Sequence, residues 1–180
     1  VCIVAHPHLL MGADIVDLST RSNMPCANAM EFVNMFDQQL TPGELKEIDR
    51  QATETGKYSY FYLIWSLKEA FIKAIGQGLG YELTDVEFCV YLEPGCNLNT
   101  LPVDNTVKPA EYKNPESSSA EHKAPHSSLH EAGVHRVKGY ATVKVRGISQ
   151  NDWRMDFDSL DDKHVMTVAR APISAALPTF

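Results

Sequence analysis

The 180-residue sequence predicts an α+β domain, an antiparallel sheet with packed helices that come before most of its strands. Three observations predict it. Short stretches near both ends of the chain alternate apolar and polar residues, helical periodicity is confined to residues 28–75, and no repeat recurs at solenoid spacing. With 44% hydrophobic and 22% charged residues the chain has material for one real core, which excludes a wholly disordered or fibrous chain.

The elements follow in order. Val1–Ala5 is a short apolar run stopped by His6-Pro7, and Gly12–Leu18 is a second strand candidate with assignable faces. Phe32, Val33 and Phe36 recur at helical spacing between Asn28 and Gln39. Thr41-Pro42-Gly43-Glu44 opens a new helix: Thr41 caps, Pro42 suits the first helical position, and Glu44 stands three residues after the cap. Tyr58–Ile75 is the longest periodic run and is closed by Gly76, Gly78 and Gly80. Val86–Leu92 reads as a strand. Three more follow between Gly139 and Ala169, with Leu160-Asp161-Asp162 as a hairpin connection.

Between Glu93 and His135 the composition changes. Five of the ten prolines sit there with Ser117-Ser118-Ser119 and Ser127-Ser128, a mixture that buries too little to offset its ordering entropy. The predicted organisation is therefore a lobe over residues 1–92, a low-complexity, disordered insertion over 93–135, and the closing strands of the same lobe over 136–172. His122, His126 and His130 recur at four-residue steps inside the insertion, but Pro125 and the serines argue against a metal-binding helix.

Charge and cysteines bound the partners. Lys plus Arg is 16 and Asp plus Glu is 23, a net charge of −7, so nucleic acid is not an expected partner. No run of about 18 apolar residues and no export signal are present, which predicts no membrane partner. Cys2, Cys26, Cys89 and Cys96 lack the spacing of a metal finger or a disulfide framework and read as reduced thiols in a cytoplasmic protein. The chain opens on Val1, from which we expect further sequence upstream.

The chemistry is concentrated on one helix and one strand. On the Tyr58–Ile75 helix, Ile64, Leu67, Phe71, Ala74 and Ile75 make one apolar face, and Tyr58, Tyr62, Trp65 and Ile72 make the other. Glu69 and Lys73 fall on the aromatic face, one turn apart. An exposed pair at that spacing is worth only about 0.2–0.5 kcal/mol. On a helix buried on both faces, a carboxylate carries a desolvation cost and points to a site instead. On the strand, Asp14 and Val16 share a face, with Ala13, Ile15 and Asp17 on the other, and Gly12 lets a backbone or a ligand approach closely. Asp14 reads either as a residue of the strand end or, with Glu69, as one of two oxygen ligands for a hard cation. Mg²⁺ suits such a pair, because it takes its remaining ligands from water and phosphate. Lys68 and Lys73 would then face the same phosphates.

The stretch Trp65-Ser-Leu-Lys68-Glu69-Ala-Phe-Ile-Lys73 resembles the W-x-x-K-E-[AS]-x-x-K signature of 4'-phosphopantetheinyl transferases, and Gly12-Ala-Asp14 resembles that family's upstream G-x-D motif. Together they are similar to the Sfp-type group, and within it to its eukaryotic, aminoadipate-semialdehyde dehydrogenase phosphopantetheinyl transferase-like members. The likeness covers Val1 to about Leu92 and returns weakly from Trp153 to Ala169. It implies the fold of one lobe of a pseudo-two-fold pair, and transfer of phosphopantetheine from coenzyme A onto a serine of an acyl or peptidyl carrier protein. It implies that Asp14 and Glu69 ligate Mg²⁺ against the pyrophosphate and that Glu69 helps deprotonate the carrier serine. It also implies that Lys68 and Lys73 contact the phosphates and steady the leaving 3',5'-ADP.

Two departures from the family pattern stand out. Val16 occupies the place where many members have a second acid, and Asp17, on the other face, cannot replace it. The first lobe of the Sfp type is not found in these residues, so we expect a missing N-terminal lobe and an apolar surface facing it, formed by Tyr58, Tyr62 and Trp65. Two alternatives stay open: a non-catalytic half-domain that binds a carrier protein or partner lobe, and a trimeric holo-acyl-carrier-protein synthase-type enzyme.

Overall fold

The computed structural model describes residues 4–18, 26–100 and 136–176. Strand β1 (Leu9–Asp17) begins three residues earlier than the sequence signal at Gly12. Val4 and Ala5 are not in a strand, and Val1–Ile3 lie outside the described residues. Three helices follow: α1 (Ala29–Asn34), α2 (Pro42–Asp49) and α3 (Glu54–Ile75). The chain then gives β2 (Val86–Leu92), β3 (Lys138–Val145), the two-residue β4 (Ile148–Ser149), β5 (Arg154–Ser159) and β6 (His164–Pro172). The sheet is antiparallel throughout, in the order β1-β6-β5-β3-β2, with β4 paired to β3. This is the predicted α+β class.

The helix boundaries have local causes. The Thr41 side chain accepts the Glu44 backbone N–H while the Glu44 carboxylate accepts the Thr41 N–H, the reciprocal cap that the sequence announces. Thr53 caps α3 one turn earlier than the apolar periodicity suggests. Gly76 ends it with φ 71°, a left-handed conformation that a side chain would strain.

Helix α3 lies across the inner face of the sheet. Leu63, Ile64, Leu67, Ala70 and Phe71 are fully buried against inward residues of the strands, among them Phe88, Val143, Met155, Val165 and Ala169. Its tightest approach is to β1. A Cβ on Gly12 would stand 2.1 Å from the Ala70 carbonyl oxygen and 2.4 Å from the Ala74 nitrogen, so only glycine lets the two backbones touch. The close partner that Gly12 admits is thus the helix itself. Behind it, Ser66 and Thr167, both fully buried, share a hydroxyl–hydroxyl bond of 2.7 Å that fastens α3 to β6.

Two expectations are corrected. The aromatic face of α3 is not left fully open, because α1 and the turn after it cover part of it. Phe32 packs on Tyr58, Phe61 and Tyr62, and Phe36 on Phe61 and Trp65, with ring centroids 5.1–6.1 Å apart, so that Tyr58, Tyr62 and Trp65 are half-buried. The insertion also begins later than Glu93. Leu98 is buried in the core and Asn99 accepts hydrogen bonds from Thr53, so the chain is still packed on the lobe at these two residues. The rest of the predicted insertion, with His122, His126 and His130, lies outside the described residues, as does Cys2. Cys26, Cys89 and Cys96 are half-buried free thiols. Among the described residues no helix is long and apolar enough to cross a membrane.

Candidate active site

The C-terminal half of α3 forms one wall of a cleft of about 600 Å³. Trp65, Glu69, Ile72 and Lys73 line it from the helix, at the spacing that puts them on one face. Gln39 closes the α1 side, and Tyr81 and Leu83 form the opposite wall after the chain has turned at Gly76 and Gly78. The lining is mainly apolar, with one carboxylate and one ammonium among it. Burial, with Asp85 beside it, raises the Tyr81 phenol above its ordinary value of 10, so this wall is uncharged at neutral pH.

Asp14 joins this group from β1. Residues Gly12, Asp14 and Val16 point toward α3, as alternation predicts, and the contact at Gly12 brings the strand within reach of the last helical turn. The Asp14 carboxylate accepts a 2.7 Å bond from the Lys73 ammonium. The Asp14 side chain is largely covered and that of Lys73 is half exposed. Glu69 is half-buried on the cleft wall and so is not the desolvated carboxylate expected from the sequence.

Lys68 is the main correction. Its side chain is 1% exposed and points into the core on the far side of α3. The ammonium donates to the carbonyls of Leu83 at 2.9 Å and Val86 at 2.6 Å, and pairs with Glu44 at 2.9 Å. Its three protons are used, so Lys68 cannot contact a phosphate in the cleft. Helical geometry contains the reason: five residues carry a side chain about 140° round an α-helix, whereas the four from Glu69 to Lys73 carry it only about 40°. Glu44 was visible in the sequence as a capping residue, but its second task was not. Besides capping α2 it accepts the Phe88 N–H at 3.0 Å and faces Lys68 inside the core. Burial raises the Glu44 carboxyl and lowers the Lys68 amine, each opposed by the charge of the other.

Among the described residues no three His, Cys, Asp or Glu side chains cluster as a ready metal cage. Asp14 and Glu69 offer oxygen only, and two carboxylates are a sufficient protein contribution for Mg²⁺. The donor set therefore fits that ion. Lys73 now neutralises Asp14, so a cation bound there would displace the ammonium, freeing it for an anion in the same cleft. Gln39, Tyr81 and Leu83 are cleft residues that no sequence signal identified, because the turns bringing them to α3 carry no periodicity.

The 4'-phosphopantetheinyl transferase superfamily matches residues 10–127, more than half of the chain. Curated relatives include L-aminoadipate-semialdehyde dehydrogenase-phosphopantetheinyl transferase of Homo sapiens, 39% identical over 88 residues, which are 48% of this chain and 27% of the relative. The Xenopus laevis protein of the same name is 34% identical over 87 residues, 48% of this chain and 28% of its own length. A phosphopantetheinyl transferase of Thraustochytrium sp. is 32% identical over 99 residues, 53% of this chain and 34% of its own length. The matches thus span about a third or less of these relatives. The chain belongs to the 4'-phosphopantetheinyl transferase superfamily.

Proposed function

From that membership we propose that the protein transfers 4'-phosphopantetheine from coenzyme A to a serine of an acyl or peptidyl carrier protein, in a Mg²⁺-dependent reaction in the cytoplasm. The observation that carries the reading is the convergence of Glu69, Lys73 and Asp14 beside one apolar cleft. Asp14 and Glu69 would hold the metal, which when bound supplies positive charge against the pyrophosphate of coenzyme A. A serine hydroxyl is a weak nucleophile until a base takes its proton, and Glu69 is the carboxylate at the cleft wall that can take it. Lys73 is half exposed, and its ammonium can turn to the phosphate oxygens and stabilise charge on the departing 3',5'-ADP. The apolar walls from Trp65, Ile72 and Leu83 suit the uncharged pantetheine arm and exclude water from the reacting serine.

Carrier protein and coenzyme A are the two partners of this reading, and the adenine and 3'-phosphate would be held by a second lobe. Glu69→Gln tests it in the protein as encoded in full. With Mg²⁺, labelled coenzyme A and an apo carrier protein, the variant should lose about 100-fold or more of the transfer rate while keeping its melting temperature. A rate within threefold of the parent would remove Glu69 from the reaction.

A further inference from the structure

The proposed reaction leaves unused the best-connected polar pair in the described core. Glu44 and Lys68 are both buried, yet each of their polar atoms is engaged. The Lys68 ammonium bonds Leu83 O, Val86 O and Glu44 Oε2, and the Glu44 carboxylate also takes the N–H groups of Thr41 and Phe88. Four parts of the fold meet there: α2, α3, the segment before β2, and β2 itself.

That segment needs an anchor. Between Gly76 and Val86 the chain makes only two single-turn 3₁₀ helices, with few backbone bonds of its own. The Leu83 and Val86 carbonyls turn inward, where an unpartnered carbonyl is costly. An apolar side chain at position 68 would fill the space and leave both oxygens orphaned. The same segment carries Tyr81 and Leu83, the cleft wall opposite Glu69 and Lys73.

We propose that Lys68 is a positioning residue: fixed by Glu44, its ammonium holds the Leu83–Val86 segment and so sets the width of the cleft between Leu83 and the Glu69–Lys73 face of α3. The inference deepens the reading of this cleft as the coenzyme A site and rests on it for its functional consequence. One helix then serves both sides of the site, presenting Glu69 and Lys73 outward while Lys68 ties down the facing wall from within. In this arrangement Lys68 governs shape and Lys73 governs charge.

The test is the double variant Glu44→Leu with Lys68→Met, which removes both charges together so that neither is left buried alone. Trp65 lines the cleft and the second tryptophan, Trp153, is 5% exposed, so acrylamide quenching of the emission reads the cleft wall without any ligand. In the folded double variant, quenching should rise about twofold as the wall loosens. Mg²⁺–coenzyme A should bind more weakly with the salt dependence of the parent, whereas Lys73→Met should flatten that dependence. Unchanged quenching and unchanged affinity in a folded double variant would overturn the proposal, and so would a flattened salt dependence, which marks a phosphate ligand. Should the parent bind no coenzyme A, the reading of the site fails while the quenching still decides the role of Lys68. Should the double variant not fold, amine labelling of the parent decides: Lys68 inert until unfolding supports the proposal, and Lys68 labelled in the native chain and shielded by coenzyme A overturns it.

Discussion

Two carboxylate–ammonium pairs hang from the same helix five residues apart, and they differ in almost everything but chemistry. Asp14–Lys73 has a 2.7 Å contact with Lys73 half exposed, while Glu44–Lys68 has a 2.9 Å contact with neither side chain in water. The first pair can come apart, because water and a competing cation or phosphate can take over each half. The second cannot, since either charge alone would remain in the core with no other ion to meet it. A pair open to exchange is suited to a reaction and a closed pair to holding shape. The position of a lysine within a signature does not by itself say which it is.

The largest expected contrast is in stability. Lys68→Met alone should cost about 3–5 kcal/mol, because it strands the Glu44 carboxylate together with the Leu83 and Val86 carbonyls. Lys73→Met should cost about 0–1 kcal/mol, as befits a pair half open to solvent. Urea unfolding of the two variants reads both numbers, and equal costs would erase the distinction between the pairs.

Next comes the geometry that creates the open pair. Gly12→Ala puts a methyl group 2.1 Å from the Ala70 carbonyl oxygen, and neither backbone can yield without α3 backing away from β1. A loss of about 1–3 kcal/mol should follow, together with a weaker response of the site to Mg²⁺, since Asp14 would withdraw from the helix. Thermal melting with and without Mg²⁺ checks it, and a variant as stable as the parent would mean that the contact at Gly12 is not tight.

The smallest effect belongs to a carboxylate of a third kind. Asp161, in the turn between β5 and β6, accepts the backbone N–H groups of Lys163 and His164, which with the His164 ring lower its carboxyl to about 2. A depressed carboxyl contributes stability above its unfolded value near 3.8 and loses it as pH falls toward 2. The parent's advantage over Asp161→Ala should therefore be full above pH 4 and shrink steadily below it in urea midpoints. An advantage that stayed constant from pH 5 to 2 would show that the turn is held by something other than the ionised carboxylate.

Much of this architecture was legible in the residues. The capping box at Thr41, the glycine stop at Gly76 and the alternation from Gly12 to Asp17 are local signals, and each appears in the structure. The pairing of Glu69 with Lys73 on one helix face followed from spacing alone. What the sequence did not disclose depends on the third dimension. Glu44 meets Lys68 only once α2 packs on α3, and Leu83 reaches the cleft only once the chain has turned back from Gly76. Burial, read as a mark of function, was assigned to Glu69. Among the described residues the charged groups that are buried are Glu44 and Lys68, whereas Glu69 is half-buried and Lys73 half exposed.

The central claim, that the exposed pair with Glu69 forms a Mg²⁺-dependent anion site, is tested most directly by titrating coenzyme A into this chain at low and high salt, with and without Mg²⁺. The parent should bind only when Mg²⁺ is present and more weakly as salt rises, Asp14→Asn should lose the Mg²⁺ requirement along with most of the binding, and Lys73→Met should bind weakly with little response to salt. Binding that needs no Mg²⁺ and is unaltered by Asp14→Asn and Lys73→Met would contradict the account.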